Sequence, residues 1–192
     1  MSKEYGVGII GCGNISGAYF KLIPMFRNLK LVACADINAA ASKARSEEFG
    51  VEAQAIDALL ANPAVDVVVN LTVPEAHYPV SKAALEAGKH VYSEKPFVLS
   101  IEQGEDLRRI ADAKGLKVGS APDTYLGGSH QFARHIIDSG QVGKIMSGTA
   151  HVLSPGMESW HPNRISSSPR AAGRSSISAP ITSTTSSISL AR

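Results

Sequence analysis

Residues 5–17, YGVGIIGCGNISG, constrain the fold more than any other stretch of the chain. Tyr5–Ile10 is a short apolar run that reads as a buried strand. Gly11 stops it, and Ser16–Met25 reads as a helix. A strand running through glycines straight into a helix needs special residues at fixed places. Gly11 permits the tight turn, and Gly13 lets the backbone approach a pyrophosphate. Ser16 is still small where the third glycine of G-x-G-x-x-G would stand. The start of the helix then offers free N–H groups and partial positive charge to an anion, with Asn14 and Ile15 between the two.

The alternation begun there continues. Residues 30–35, 65–71, 89–92 and 117–119 read as strands, and 38–49, 56–61, 76–87 and 100–114 as helices. Gly50 and Gly88 fit as helix stops, and Ser100 as a helix cap. The pattern predicts an α/β fold, a doubly wound parallel sheet with helices on both faces. Residues 1–120 form its nucleotide-binding domain. A new pattern follows over 121–163, a helix near 128–139 and a strand near 144–153. It reads as the start of an α+β second domain.

The last 29 residues differ from the rest: ten Ser, four Arg, four Ile, no Asp or Glu. Such a mix buries too little apolar surface to offset chain entropy, so 164–192 is expected to lack regular structure. Over the whole chain, 19 basic and 17 acidic residues give +2. That balance leaves no electrostatic footprint for nucleic acid or an anionic membrane. No apolar run reaches the roughly 18 residues of a membrane span, and MSKEYGVGIIGCG lacks the apolar core of a signal peptide. Cys12 and Cys34, the two cysteines, are not spaced for a disulfide framework or a zinc ribbon. A cytoplasmic setting and no metal are the expectations; Cys12 reads as a small loop residue rather than a reactive thiol.

Asp36 ends the second strand, 20 residues after Ser16. A carboxylate there can accept both ribose hydroxyls of adenosine and would repel a 2′-phosphate, which favours NAD over NADP. The competing reading makes Asp36 a cap for the helix over 38–49. Loops after parallel strands line the ligand crevice, so Thr72, Pro74 and His77 become candidate cofactor-binding residues. His77 could equally be a surface capping histidine. Glu94-Lys95-Pro96 follows the next strand on the same edge. A lysine there can protonate or orient a hydroxyl, with Glu94 fixing its position; the plain alternative is an exposed ion pair before a turn.

Together VGIIGCGNIS (7–16), ADIN (35–38), TVPEAH (72–77), SEKPF (93–97) and APDTYLGGSHQFARHIIDSGQVGKI (121–145) resemble the glucose–fructose oxidoreductase/inositol dehydrogenase/MocA (Gfo/Idh/MocA) family of NAD(P)-dependent sugar oxidoreductases. The resemblance implies a Rossmann domain and a nicotinamide dinucleotide cofactor. It implies a sugar or polyol substrate and, for intact members, homo-oligomers. Lys95 then matches the catalytic lysine that contacts the sugar hydroxyl and the nicotinamide region. Asp123 falls at the start of the domain that shapes the sugar pocket.

The family's second catalytic pair lies in a downstream D-x-G-x-H motif, or the same with a final Tyr, and the sequence has no such motif. Two readings of the tail are open. It can be a Ser-rich natural tail, or the product of a reading-frame shift after Asn163. A one-base shift turns serine codons into Phe, Leu, Ile or Val. One permitted decoding contains D-L-G-A-Y, with Ile177 in the place of the Asp and Ile181 in the place of the His or Tyr. Three functions follow: an oxidoreductase lineage, a polypeptide that binds NAD without turnover, and a non-catalytic NAD(H) sensor. For these 192 residues the expectation is binding with little or no activity.

Overall fold

The computed structural model describes residues 3–121 and 124–146. The chain divides into two compact units, Met1–Pro122 and Asp123–Arg192.

In the first unit, β1 (Tyr5–Ile10) leads to α1 (Ser16–Leu22), which a 3-10 turn (Ile23–Met25) extends. Then come β2 (Leu29–Ala35), α2 (Ala39–Phe49), β3 (Glu52–Ala53), α3 (Ile56–Ala61) and β4 (Val67–Asn70). The unit closes with α4 (Pro74–Glu86), β5 (His90–Ser93), α5 (Ile101–Lys114) and β6 (Val118–Ser120). The six strands lie in the order β3-β2-β1-β4-β5-β6, every neighbouring pair parallel. This is the Rossmann arrangement. The strand order reverses between β1 and β4, and a doubly wound sheet opens its ligand crevice outside the carboxyl ends of the strands at that point.

Alternation along each strand explains why both faces are covered. Val7, Ile9, Cys34 and Val69 face one way and pack with Phe20 and Ile23 of the α1 segment. Ile10, Ala33, Ala35 and Val68 face the other way and pack with Leu59, Leu85 and Leu107 from α3, α4 and α5. Strands buried on both faces read as continuous apolar runs, and each large side chain buried this fully stabilises by roughly 1.5–3 kcal/mol. The Phe20 and Phe49 rings stack between α1 and α2 with centroids 4.9 Å apart. Gly6 is needed because a Cβ there would stand 1.8 Å from the Ala64 carbonyl oxygen.

Helix ends follow the sequence. The Asn38 side chain accepts the Ala40 N–H, and Ser100 caps α5 by accepting from Gln103. Gly50 and Gly115 end α2 and α5 in the left-handed conformation. Three differences appear. β3 was not expected; both its residues are exposed, so no apolar pattern marks it. α4 begins at Pro74, two residues early, because proline suits the first helical position. β4 is shorter than 65–71, although Val65 and Leu71 are buried; burial outruns the strand there.

The second unit holds a 3-10 turn (Thr124–Leu126) and α6 (Gly128–Asp138), none of whose residues is buried. Residues 144–146 are not in a strand. The rest of the strand expected to 153, Asp123 and the tail over 164–192 lie outside the described residues. Among the described residues no helix is long and apolar enough to cross a membrane.

Candidate functional site

Backbone pairing aligns Ala35, Ile10, Asn70 and Ser93 in one row across β2, β1, β4 and β5. The loops that follow them therefore open on a single edge of the sheet. These loops carry the candidate residues Gly11 to Ile15, Asp36, Thr72, Glu94 and Lys95, and Pro74 and His77 fall in the first turn of α4 that follows the third of them. At the switch point the first and third loops touch. Gly11 has φ +102°, and a Cβ on it would lie 2.6 Å from the Leu71 carbonyl carbon. Only glycine satisfies both the dihedral and the space.

The glycine loop is pinned at both ends. The Cys12 N–H donates to Asp36 Oδ2 at 2.6 Å. The Gly13 carbonyl accepts from Ser16 Oγ at 2.7 Å, from the Ser16 N–H at 3.3 Å and from Arg45 at 3.2 Å. Between the pins, the N–H groups of Gly13, Asn14 and Ile15 find no acceptor among the described residues. Successive free N–H groups form a concave anion site, so the loop suits a diphosphate.

Asp36 has its other oxygen, Oδ1, on the Asn38 N–H at 2.8 Å. Asn38, not Asp36, caps α2. Asp36 ties the first two loops together, and a carboxylate oxygen that accepts one bond retains a second lone pair for a ribose hydroxyl. Beside it opens a crevice of about 700 Å³, lined by Asp36, Ala39, Ser42, Gln54, Ala55 and Ile56. Ile37, next in sequence, is 96% exposed and offers an apolar face at the same edge. Cys12 is buried and its Sγ donates to the Ala35 carbonyl oxygen; contact with Cys34 and burial push its thiol above the ordinary range, which disfavours the nucleophilic thiolate.

On the β4 side the organiser is Asn70, fully buried. Its Oδ1 accepts from Thr72 Oγ1 at 2.7 Å, and its Nδ2 donates to the His77 carbonyl and to Ser81 Oγ, each at 3.0 Å. His77 corrects the sequence reading. It is neither a surface cap nor a side chain facing the crevice, being 1% exposed. Its Nδ1 lies 2.6 Å from the Pro96 carbonyl oxygen and its Nε2 lies 2.9 Å from the Thr72 carbonyl oxygen. The ring spans two of the loops, which is why it lies inside.

Glu94 differs in a similar way. Its Oε1 accepts from the Tyr19 hydroxyl and its Oε2 from the Lys95 backbone N–H, both at 2.9 Å. It holds the main chain of Lys95 and makes no ion pair with its ammonium, since the carboxylate is already engaged from α1. Lys95 is exposed, and no ion pair holds its ammonium among the described residues. The Lys95–Pro96 peptide is cis. Asn70, Tyr19 and Arg45 escaped the sequence reading. A lone Asn closing a β-branched run was a usable signal for the first; nothing local marks the other two.

The profile of the oxidoreductase family with the NAD-binding Rossmann fold, Gfo/Idh/MocA, matches residues 5–121. The chain belongs to this family. Inositol 2-dehydrogenase of Rhizobium meliloti is 28% identical over 138 residues, 72% of this chain and 42% of that protein. In structure, the Gfo/Idh/MocA chain is similar to a putative myo-inositol dehydrogenase from Sinorhizobium meliloti, with TM-score 0.67, 27% identity and coverage of 72% and 42%. It is also similar to biliverdin reductase from Synechocystis, solved with biliverdin and NADP+, with TM-score 0.63, 31% identity and coverage of 69% and 42%. The chain thus spans less than half the length of these relatives.

Proposed function

We propose that the first unit is the cofactor-binding half of an NAD-dependent oxidoreductase acting on a sugar or polyol hydroxyl. The carrying observation is the loop between Cys12 and Ser16, pinned at both ends with its free N–H groups beside Asp36. That arrangement fits a dinucleotide: diphosphate on the Gly13–Ile15 amides, adenosine ribose on Asp36, adenine against Ile37. The Asp36 carboxylate would repel a 2′-phosphate, which supports NAD over NADP. When bound, nicotinamide supplies a hydride acceptor and donor. Lys95, with its backbone set by Glu94, would hold or move the proton at the substrate hydroxyl. Relatives named inositol 2-dehydrogenase and 1,5-anhydro-D-fructose reductase support the substrate class.

For the 192-residue polypeptide taken by itself we propose binding without turnover. The D-x-G-x-H pair that the family resemblance calls for is not among its residues, and hydride transfer needs the alcohol carbon within roughly 3.5 Å of the ring with water excluded. Titration with NADH and NADPH, followed by a polyol screen with NAD, tests both statements. Tighter NADH binding and background turnover are expected. Tighter NADPH binding would overturn the role of Asp36, and sugar-dependent NADH production would overturn the absence of turnover.

A further inference from the structure

Arg45 lies in an Ala-, Glu- and Lys-rich helix and looks from sequence like one more solvated charge. Its side chain is 23% exposed, whereas those of Lys43 and Glu47 on the same helix are 76% and 70% exposed. It leans from α2 across the start of α1. One guanidinium nitrogen donates to the Gly13 carbonyl at 3.2 Å, and the other meets Glu48 at 2.6 Å. Gly17 presents a bare surface to it; a Cβ there would sit 3.6 Å from the guanidinium.

The direction of the Gly13 carbonyl decides the direction of the next amide. In a planar trans peptide the C=O and N–H point opposite ways. Arg45 and Ser16 together draw the Gly13 oxygen toward the protein, so the Asn14 N–H is turned away from it, as an anion would need. α1 has only seven residues, so the phosphate affinity of the loop cannot rest on that helix alone. A fixed cation beneath the loop adds to it, and Glu48 offsets part of its charge.

We propose that Arg45 is a positioning residue of the dinucleotide site. It holds the Gly13–Asn14 peptide in its anion-accepting orientation and places a positive charge under the diphosphate. This rests on the dinucleotide reading above.

The test is titration of the full chain with NADH, NADPH and adenosine at fixed ionic strength, with circular dichroism to check folding. A unit charge held several ångströms from a diphosphate near a protein surface shifts an equilibrium by roughly three- to tenfold. Arg45→Ala is expected to raise the Kd of NADH and NADPH equally by that factor and to leave adenosine unchanged. Arg45→Lys should recover part of the loss, since it keeps the charge without the planar fork. Glu48→Gln should tighten NADH binding by roughly twofold, because it removes the offsetting charge; a purely structural role for the Arg45–Glu48 pair would weaken binding instead. An unchanged NADH Kd in Arg45→Ala overturns the proposal. So does a loss confined to NADPH, which would assign the residue to the 2′-phosphate, and so does weaker NADH binding in Glu48→Gln. A wild type that binds no NADH would overturn the cofactor reading itself, and this proposal with it.

Discussion

Replacing His77 by Ala should destabilise the first unit by about 3 kcal/mol. The ring is 1% exposed and bridges the Pro96 and Thr72 carbonyl oxygens at 2.6 and 2.9 Å. A neutral imidazole donates through one nitrogen at a time, so at least one full hydrogen bond is lost, worth about 1 kcal/mol net, and its carbonyl is left buried without a donor. Removing the ring also opens a cavity. Truncations of large buried side chains to alanine cost roughly 2–5 kcal/mol, and the site's proximity to loops allows some collapse, which places the sum near the lower part of that range. In urea, with a slope of about 2 kcal/mol/M, the midpoint should fall by roughly 1.5 M. His77→Gln retains a donor and should recover about a third to a half of the loss. A midpoint shift below roughly 0.5 M in His77→Ala would refute the reasoning, because it would mean that neither contact is held in solution.

Asp36→Ser removes the carboxylate assigned to the ribose in the proposed complex; NADH should bind roughly tenfold more weakly and its preference over NADPH should shrink, as read by parallel titrations. Gly6→Ala drives a Cβ to 1.8 Å from the Ala64 oxygen, so the variant should lose several kcal/mol or fail to fold, seen as loss of the cooperative thermal transition. Asp66 accepts from the Gly6 N–H at 2.8 Å and pairs with Lys3, and these contacts, the first foremost, hold its carboxyl below the ordinary range. The depressed group stabilises the fold above the ordinary carboxylate value of about 3.9, and that contribution disappears as pH falls through the folded value. With its side chain about a third exposed, the effect is at most about 1 kcal/mol. Asp66→Asn should lower stability at pH 7 by no more than that and flatten the acid limb below about pH 4.

The parallel sheet was legible because its information is local. Ile9/Ile10 and Val68/Val69 alternate between faces, Gly50 stops α2, and Ser100 sits at the start of α5. The glycine loop and Asp36 were legible for the same reason, since their spacing is set by one strand–turn–helix unit. What stayed hidden depends on contacts between elements far apart in sequence. Tyr19 meets Glu94 across 75 residues, and Arg45 meets Gly13 across 32; no period or spacing encodes either. The burial of His77 is not legible in the sequence, because helical position gives a side chain's side but not whether a later loop covers it, and here the Pro96 loop does. Asn38 rather than Asp36 caps α2 because the carboxylate is drawn to the Cys12 amide of the neighbouring loop.

The proposed cofactor site depends on the amides of Gly13, Asn14 and Ile15 being free to take the diphosphate of a nicotinamide dinucleotide. Nuclear magnetic resonance of the isotopically labelled 192-residue chain tests it directly, by following backbone amide signals during titration with NADH. Saturable shifts at Gly13, Asn14 and Ile15, with smaller ones near Asp36 and Ile37 and none along α5, are predicted. A titration that leaves the three loop amides unmoved, or moves residues on another edge of the sheet instead, would contradict it.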